Sequence, residues 1–237
     1  LAAATVFGTY WIGHKVRQGS CLFVTAEDDI DELHRRMVDI AADEGRDLQD
    51  LDGLVLASLA GEDALLATPN GKTNIIKATA LFASLEAHIA DMQPVLVVLD
   101  TLADLFGGDE NQRAQARQFI GLLRGLALHH DTTILLLAHP SLAGMASGSG
   151  SSGSTAWNNS ARSRLYLNRI KNDEGSEDDP DARELRGMKS NYGASGIKIP
   201  LRWRAGVFVT EAKAGDSFAK IAEQAKETAG ASASANR

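Results

Sequence analysis

The chain has 237 residues, which is long enough to bury one sizeable core, and its 44% hydrophobic and 23% charged residues are typical of a globular domain. No apolar run approaches the roughly 18 to 20 residues of a membrane span, and the lone Cys21 excludes a disulfide framework and fits a reducing, cytoplasmic setting. The net charge of −7 is uneven: residues 1–159 hold 10 basic and 20 acidic side chains, and residues 160–213 hold 11 and 8. A nucleic-acid contact is therefore expected in the second half or in a groove built by several subunits, although ordinary surface variation explains the asymmetry equally well.

Short apolar runs alternate with amphipathic segments up to Pro140. The opening segment, residues 1–16, is predicted to be the interior of a helix because no capping residue precedes it, and the chain is therefore expected to be a fragment. The predicted elements that follow are strand 20–27, a helix that stops at Gly45, strand 51–58, helix 73–92, strand 94–101, helix 111–130 and strand 132–140. Continuous apolar strands separated by helices are typical of a parallel sheet covered on both faces. The sequence predicts an α/β, doubly wound core.

The pattern changes after Pro140. Residues 141–155 are rich in Gly and Ser and are predicted to form a flexible loop. Three later segments alternate apolar and polar residues and are predicted to be half-exposed antiparallel strands: 163–170, 184–192 and 197–210. We expect one core over residues 1–213 and a flexible or helical tail over 214–237, where large apolar side chains are scarce.

Polar residues follow three of the predicted parallel strands. Strand 20–27 ends in Glu27, strand 94–101 in Asp100-Thr101, and strand 132–140 in His139. Because the carboxyl ends of parallel strands meet at one edge of a sheet, these side chains are expected to lie together, where ligands bind in such folds. The sequence therefore predicts a polar site at that edge.

The two carboxylates suggest phosphate chemistry. VLVVLD has the Walker B form, in which the closing Asp100 holds Mg²⁺ through its water shell; the alternative is a cap for the next helix. Glu27 could take a proton from the water that attacks a terminal phosphate. The alternative is that Glu27 is simply an acidic residue favoured at the start of a helix. That role suits Asp28 and Asp29 better, and Asp29 is the expected cap.

Basic candidates follow in the chain. His139 could contact a terminal phosphate, and its alternative is an ordinary core or surface histidine. Either Arg162 or Arg164 could reach a neighbouring subunit's nucleotide as an arginine finger, and the alternative for both is a solvated strand face. Loop 141–155 is a candidate DNA-facing segment, although it lacks the aromatic and basic residues of a stacking groove.

Three further patterns do not carry chemistry. The Gly-Lys-Thr within 69–74 lacks the first glycine of a P-loop and is predicted to be a surface turn. The Gly/Ser tract 148–153 has neither P-loop nor nucleophile-elbow spacing. One cysteine and six scattered histidines give no zinc-ligand spacing.

In order, the stretches CLFVTAEDD, VLVVLDTLADLF, LLLAHPS, GSTAWNNSAR and MKSNYG resemble those of a known family. The chain is similar, over roughly residues 1–210, to the AAA-type, RecA-like P-loop ATPases that include the hexameric replicative helicase RepA of broad-host-range plasmids. The resemblance implies a RecA-like ATPase core that lacks its first strand and P-loop. It also implies ATP and Mg²⁺ as cofactors, a homo-oligomer in the form of a hexameric ring, and single-stranded DNA as a partner.

The resemblance also implies residue roles. Glu27 matches the catalytic glutamate, Asp100 the Walker B aspartate, His139 the phosphate-sensing histidine and Arg162 the arginine finger offered across the subunit interface. Arg36 matches an arginine on the nucleotide side, and Lys189 a basic residue near the interface that could also face the phosphates. Two departures stand out: the GxxGxGKS/T loop, expected immediately before Leu1, is absent, and the family's doubled histidine is here Ala138-His139.

The function predicted from these patterns is ATP hydrolysis coupled to unwinding of DNA or translocation along it. Two alternatives remain: a recombination mediator or regulator of the same fold without helicase activity, and a non-catalytic oligomerising DNA-binding module. Without a phosphate loop, the 237 residues alone are expected to hydrolyse ATP poorly or not at all.

Overall fold

The fold combines a parallel sheet flanked by helices with an antiparallel sheet near the end of the chain. The computed structural model describes residues 1–71, 73–172, 175–193 and 195–210. The helices are α1 Ala2–Phe7, α2 Ile30–Asp43, α3 Ala80–Met92, α4 Leu102–Leu105, α5 Arg113–His129, α6 Leu142–Ala146 and α7 Thr155–Ser160, with a 3₁₀ turn at Leu48–Leu51. The strands are β1 Tyr10–Trp11, β2 His14–Lys15, β3 Cys21–Thr25, β4 Leu54–Ser58, β5 Ala67–Pro69, β6 Ile76–Ala78, β7 Leu96–Asp100, β8 Thr133–Leu136, β9 Ser163–Arg169, β10 Ala182–Ser190, β11 Lys198–Arg204 and β12 Val207–Thr210.

The parallel sheet has the strand order β4-β3-β7-β8. Cys21 of β3 pairs with Leu54 of β4 on one side and with Leu96 of β7 on the other, and Leu96 pairs in turn with Thr133 of β8. Every residue of β7 is buried. A strand enclosed on both faces needs a continuous apolar run, which explains the unbroken LVVL before Asp100.

Successive side chains of β3 and β7 point to opposite faces, and each face is covered by helices. On one face Leu22 and Val97 belong to a core that includes Ile89 of α3 and Phe119 of α5. On the other face Cys21, Leu96 and Val98 pack against the α1 region, and α1 in turn packs with Met37 and Ala41 of α2. Burying a side chain such as Ile89 or Phe119 stabilises the fold by about 1.5–3 kcal/mol. The predicted α/β sheet with helices on both faces is confirmed.

The second sheet has the order β12-β11-β10-β9 and is antiparallel throughout. Its buried residues include Leu185, Leu201 and Val209, which alternate with more exposed neighbours along their strands. Arg204 of β11 forms a 3.1 Å ion pair with Asp43 at the end of α2. The antiparallel strands predicted after Pro140 are therefore confirmed.

Two predicted helices begin or end elsewhere. The opening helix stops at Phe7, because Gly8 adopts a left-handed conformation (φ 70°), and β1 and β2 then form a hairpin. The helix predicted over 73–92 begins at Ala80, because Ile76–Ala78 pairs with Ala67–Pro69 as a strand. The side chain of Thr79 then caps α3 by accepting a hydrogen bond from the Phe82 amide.

Part of the predicted loop 141–155 is also helical. The hydroxyl of Ser141 accepts a hydrogen bond from the Gly144 amide at 3.1 Å and caps the short helix α6. The predicted tail, 214–237, lies outside the described residues. Within the described part of the chain, no helix has both the length and the apolar character needed to cross a bilayer.

Candidate functional site

The carboxyl ends of β3, β7 and β8 bring together the three residues that the strand pattern singles out. Thr25, the last residue of β3, pairs in register with Asp100, the last residue of β7. Glu27 lies two residues beyond Thr25, and His139 lies three residues beyond the end of β8. We call Glu27, Asp100 and His139 the rim.

Glu27 and His139 are in direct contact. The His139 Nε2 atom lies 2.9 Å from the Glu27 Oε1 atom, although the two residues are 112 positions apart in sequence. Both side chains remain open to solvent, with 71% of the His139 side chain and 42% of the Glu27 side chain exposed. The pair is therefore accessible to a ligand.

Thr25 connects the two carboxylate positions. Its hydroxyl donates to the Asp100 Oδ2 atom at 3.3 Å and accepts from the amides of Glu27 at 3.2 Å and Asp28 at 3.4 Å. These three contacts use the full hydrogen-bonding capacity of a hydroxyl. Thr25 is fully buried and was not singled out from the sequence, although a polar residue that closes an apolar strand is a signal that could have identified it.

The electrostatics of the rim favour a bound cation. Burial raises the pKa of Asp100, which is only 8% exposed, and the nearby Glu27 charge raises it further, whereas the hydrogen bond from Thr25 opposes the shift. The hydrogen bond to Glu27 raises the pKa of His139. A carboxylate that is costly to ionise because of burial and like charge is relieved by a nearby positive charge.

The donor set fits Mg²⁺ held through water. No group of three or more His, Cys, Asp or Glu side chains suited to direct metal binding occurs within the described residues. Magnesium usually keeps several waters and uses one or two protein carboxylates plus substrate phosphates, so a single buried carboxylate beside a hydroxyl suffices. The carboxylate of Asp100 meets that requirement, and the hydroxyl of Thr25 orients it.

Arg36 lies beside the rim but is already paired. On α2, its guanidinium contacts Asp28 at 2.6 Å and Glu32 at 2.7 Å. Its positive charge only partly offsets the rise that burial and the Glu27 charge cause in the pKa of Asp100. The side chain of Asp29 accepts a hydrogen bond from the Glu32 amide at 2.8 Å, which confirms Asp29 as the cap of α2.

The other basic candidates lie away from the rim. Lys189 donates to the carbonyls of Asn158, Asn159 and Ala161 at 2.8–3.0 Å, so its ammonium holds the end of α7. Arg164 donates to the Asn158 side chain at 2.9 Å and to the carbonyls of Ser149 and Gly150, and burial lowers its pKa.

Arg162, in contrast, is exposed. Within the described residues its guanidinium makes no hydrogen bond or ion pair. Of the two arginines that the sequence left open, Arg162 is thus the one available to another molecule. Neither Arg162 nor Lys189 bonds to a rim residue of the same chain.

Comparisons with known proteins place this geometry in a family. Residues 1–145, more than half of the chain, match the family model described as AAA domain. No curated protein matches the chain. The chain therefore belongs to the AAA domain family by a match that includes all three rim residues.

Solved structures with similar folds support the same architecture. The RadB recombinase has a TM-score of 0.52 at 15% identity, over 81% of this chain and 79% of that one. A solved ATPase domain of another protein has a TM-score of 0.57 at 14% identity, over 81% and 74%. A DnaB-like replicative helicase, described with its primase interactions, has a TM-score of 0.60 at 15% identity, and the chain spans about half, 51%, of its length. At such identities the likeness shows the fold, and the chain is an AAA-family domain with the RecA-like fold.

Proposed function

We propose that this domain is the ATP-hydrolysing core of an oligomeric ATPase that acts on single-stranded DNA. The observation that carries the proposal is the 2.9 Å contact between Glu27 and His139 at the sheet edge that also holds the buried Asp100. A carboxylate base and a carboxylate suited to Mg²⁺ are two of the groups that hydrolysis of a terminal phosphate uses, and His139 lies beside them at the same rim.

Each rim residue has a distinct task in this proposal. Glu27 orients the attacking water and accepts its proton, and its exposed carboxylate is free to do so once His139 turns to a phosphate oxygen. Asp100 would hold Mg²⁺ through its water shell, and the hydrogen bond from Thr25 fixes the orientation of Asp100. Bound Mg²⁺ would neutralise charge on the phosphates. His139 therefore has two alternative partners in this proposal: the Glu27 carboxylate, which it contacts in the structure, and the terminal phosphate of a bound nucleotide.

A second subunit completes the site. Within this chain Arg36 is bound to two carboxylates, so the rim has no unpaired guanidinium of its own among the described residues. We assign Arg162 of a neighbouring subunit to stabilise the charge that develops during transfer. Such a head-to-tail contact repeats around a closed ring, for which a hexamer is our proposal.

The DNA partner is proposed from the structural neighbours. One of them is named as a replicative helicase, one as a recombinase and one as an ATPase domain. A helicase is our first choice, with plasmid-type replication and a RepA-like role as the specific prediction. Unwinding of a forked duplex by the intact protein would support it.

A recombination mediator or regulator is the second candidate. The match to the RadB recombinase favours it, because it covers 79% of that chain, the largest share among the three structures. The two candidates differ in one measurement: a mediator would bind single-stranded DNA and ATP but separate no duplex. ATP turnover that is indifferent to single-stranded DNA would count against the helicase.

The test of hydrolysis at the rim is Glu27→Gln in the intact protein. Gln keeps the size of the side chain but cannot accept the proton, so turnover is expected to fall by about 10²–10⁴-fold while ATP binding is retained. Glu86→Gln is the matched control and should leave turnover unchanged. Glu86 lies on α3 with its carboxylate 3.6 Å from His130, just before the amino end of β8 and therefore at the opposite edge of the sheet. Unchanged turnover in Glu27→Gln would instead indicate the non-catalytic module.

A further inference from the structure

A groove between α5 and the end of α7 gathers four arginines. It encloses about 450 Å³. Its charged and amide side chains are Arg113, Arg117, Arg124, Asn159, Arg162 and Asn191. We call it the arginine groove.

One face of α5 forms one wall of the arginine groove. Arg113, Arg117 and Arg124 are four and seven residues apart on α5, which places them on one face of a helix with 3.6 residues per turn. The opposite wall comes from α7, which packs on α5. The Arg124 guanidinium donates to the Ser160 carbonyl at 2.6 Å and ties the two walls together.

Three of these arginines have no partner of their own. Within the described residues, Arg113, Arg117 and Arg162 make no hydrogen bond, ion pair or ring contact. Every other described arginine does have one, to a carboxylate, a carbonyl or an aromatic ring: Arg17, Arg35, Arg36, Arg46, Arg124, Arg164, Arg169, Arg183, Arg186, Arg202 and Arg204. The chain carries a net charge of −7, so acidic partners are plentiful elsewhere. The unpaired positive charge of the described arginines is concentrated in this one groove.

The lining of the arginine groove indicates what it binds. It contains no acidic and no aromatic side chain among the described residues, so it offers no carboxylate to a metal ion and no aromatic ring to a base. Guanidinium groups form forked, charge-assisted hydrogen bonds with phosphate oxygens. The groove is thus suited to the phosphate part of a ligand whose base and metal ion are held elsewhere.

The rim has the complementary composition. It offers carboxylates to a metal ion and to water: Glu27 is exposed beside His139, and Asp100 lies buried at the same edge. Arg36, which lies beside it, is bound to Asp28 and Glu32. Among the described residues, the rim therefore lacks the free positive charge that the arginine groove has in excess.

We propose that the arginine groove binds the phosphate chain of a nucleotide held at the rim of a second copy of the chain, with Arg113 and Arg117 as phosphate-binding residues beside Arg162. The proposal rests on the proposed function, because it assumes that the rim binds a nucleotide. It extends that function by two residues and a defined surface on the neighbouring subunit.

The first experiment measures ATP turnover of the intact protein carrying Arg113→Ala and Arg117→Ala. Turnover is expected to fall at least about tenfold, since each lost contact is a hydrogen bond to a charged group. The melting temperature should not fall, because these side chains hold nothing in the described fold. Arg17→Ala, which removes an exposed arginine paired with Asp131, is the control. Turnover that matches wild type, or a loss confined to binding of a single-stranded oligonucleotide, would overturn the proposal.

A mixing experiment tests whether the groove acts between copies. The double arginine variant is co-assembled with the Glu27→Gln variant in equal amounts. If the two half-sites come from different copies, about a quarter of the interfaces regain both intact halves, and turnover reappears. No recovery in assemblies shown to contain both variants would place the groove within a single copy and overturn the proposal.

A third measurement separates this proposal from the proposed function. Inorganic tripolyphosphate should raise the melting temperature of the wild-type protein, and the shift should be lost in the double arginine variant. If wild type hydrolyses no ATP but shows this shift, the proposed function fails and the phosphate site stands. The absence of a shift in wild type would overturn the phosphate site itself.

Discussion

Replacing Trp157 tests how α7 is held on α5, and therefore how the arginine groove keeps its shape. The indole ring packs edge-on against Phe106, with centroids 5.3 Å apart, and against Phe119 at 6.3 Å. Its N–H donates to the Glu110 carbonyl at 2.9 Å. The same carbonyl also accepts from the Ser154 amide at 3.0 Å, so it keeps a partner when the indole is removed.

Two substitutions separate these contributions. Trp157→Phe removes the hydrogen bond but keeps an aromatic ring, and should lower the free energy of unfolding by about 1 kcal/mol. Trp157→Ala also removes both ring pairs and much apolar contact. Because Trp157 is only partly buried, Trp157→Ala should lower the free energy of unfolding by about 3 kcal/mol, near the lower end of the range for such substitutions. For a chain of this size the melting temperature should fall by about 2–4 °C in Trp157→Phe and by about 6–12 °C in Trp157→Ala.

Equilibrium urea unfolding and thermal melts measure both values. Trp203→Ala is the matched control, because Trp203 is 44% exposed and packs on one ring, Phe208, so it should cost less than Trp157→Ala. Equal losses for the two Trp157 variants, or no loss for Trp157→Ala, would refute the proposed anchoring of α7.

Three further predictions concern single residues. Asp100→Asn should raise the melting temperature at neutral pH, because a carboxyl whose pKa is raised in the folded state destabilises that state once ionised. The same substitution should abolish Mg²⁺-dependent turnover, which assays with and without Mg²⁺ check. Lys189→Met should lower the free energy of unfolding, measured in urea, by about 1–3 kcal/mol, because the ammonium donates to three carbonyls at the end of α7. ATP affinity should stay unchanged. Weaker ATP binding at unchanged stability would instead favour a phosphate contact. Because the pKa of His139 is raised in the folded state, its pairing with Glu27 stabilises the fold fully below a pH of about 6.5 and less as the pH rises through the folded-state pKa. The melting temperature should therefore decline slightly across this range, and the decline should be missing in His139→Ala.

Much of the sheet could be predicted from the sequence because parallel strands have a strong signature. The apolar runs that end at Thr25 and Asp100 are typical of strands buried on both faces. Because the carboxyl ends of parallel strands share an edge, Glu27 and His139, which follow β3 and β8, were expected to lie together. The start of α3 was wrong because Ile75 and Ile76 fit a helical spacing as well as a strand. Pairing with β5, in a hairpin that the apolar spacing does not reveal, decided between them.

The arginine groove could not be predicted for a related reason. Arg117 and Arg162 are far apart in sequence, and only the docking of α7 on α5 brings their side chains to one groove. The choice between Arg162 and Arg164 was also open, because alternation along a strand does not reveal partners. The contacts of Arg164 with Asn158 and the 149–150 backbone resolved which of the two is available to another molecule.

The most direct test of a nucleotide site at the rim is an experimental structure of the intact protein with Mg²⁺ and a non-hydrolysable ATP analogue. We expect the terminal phosphate to lie between Glu27 and His139, with the metal's water shell on Asp100. A terminal phosphate bound away from these three side chains would contradict the assignment.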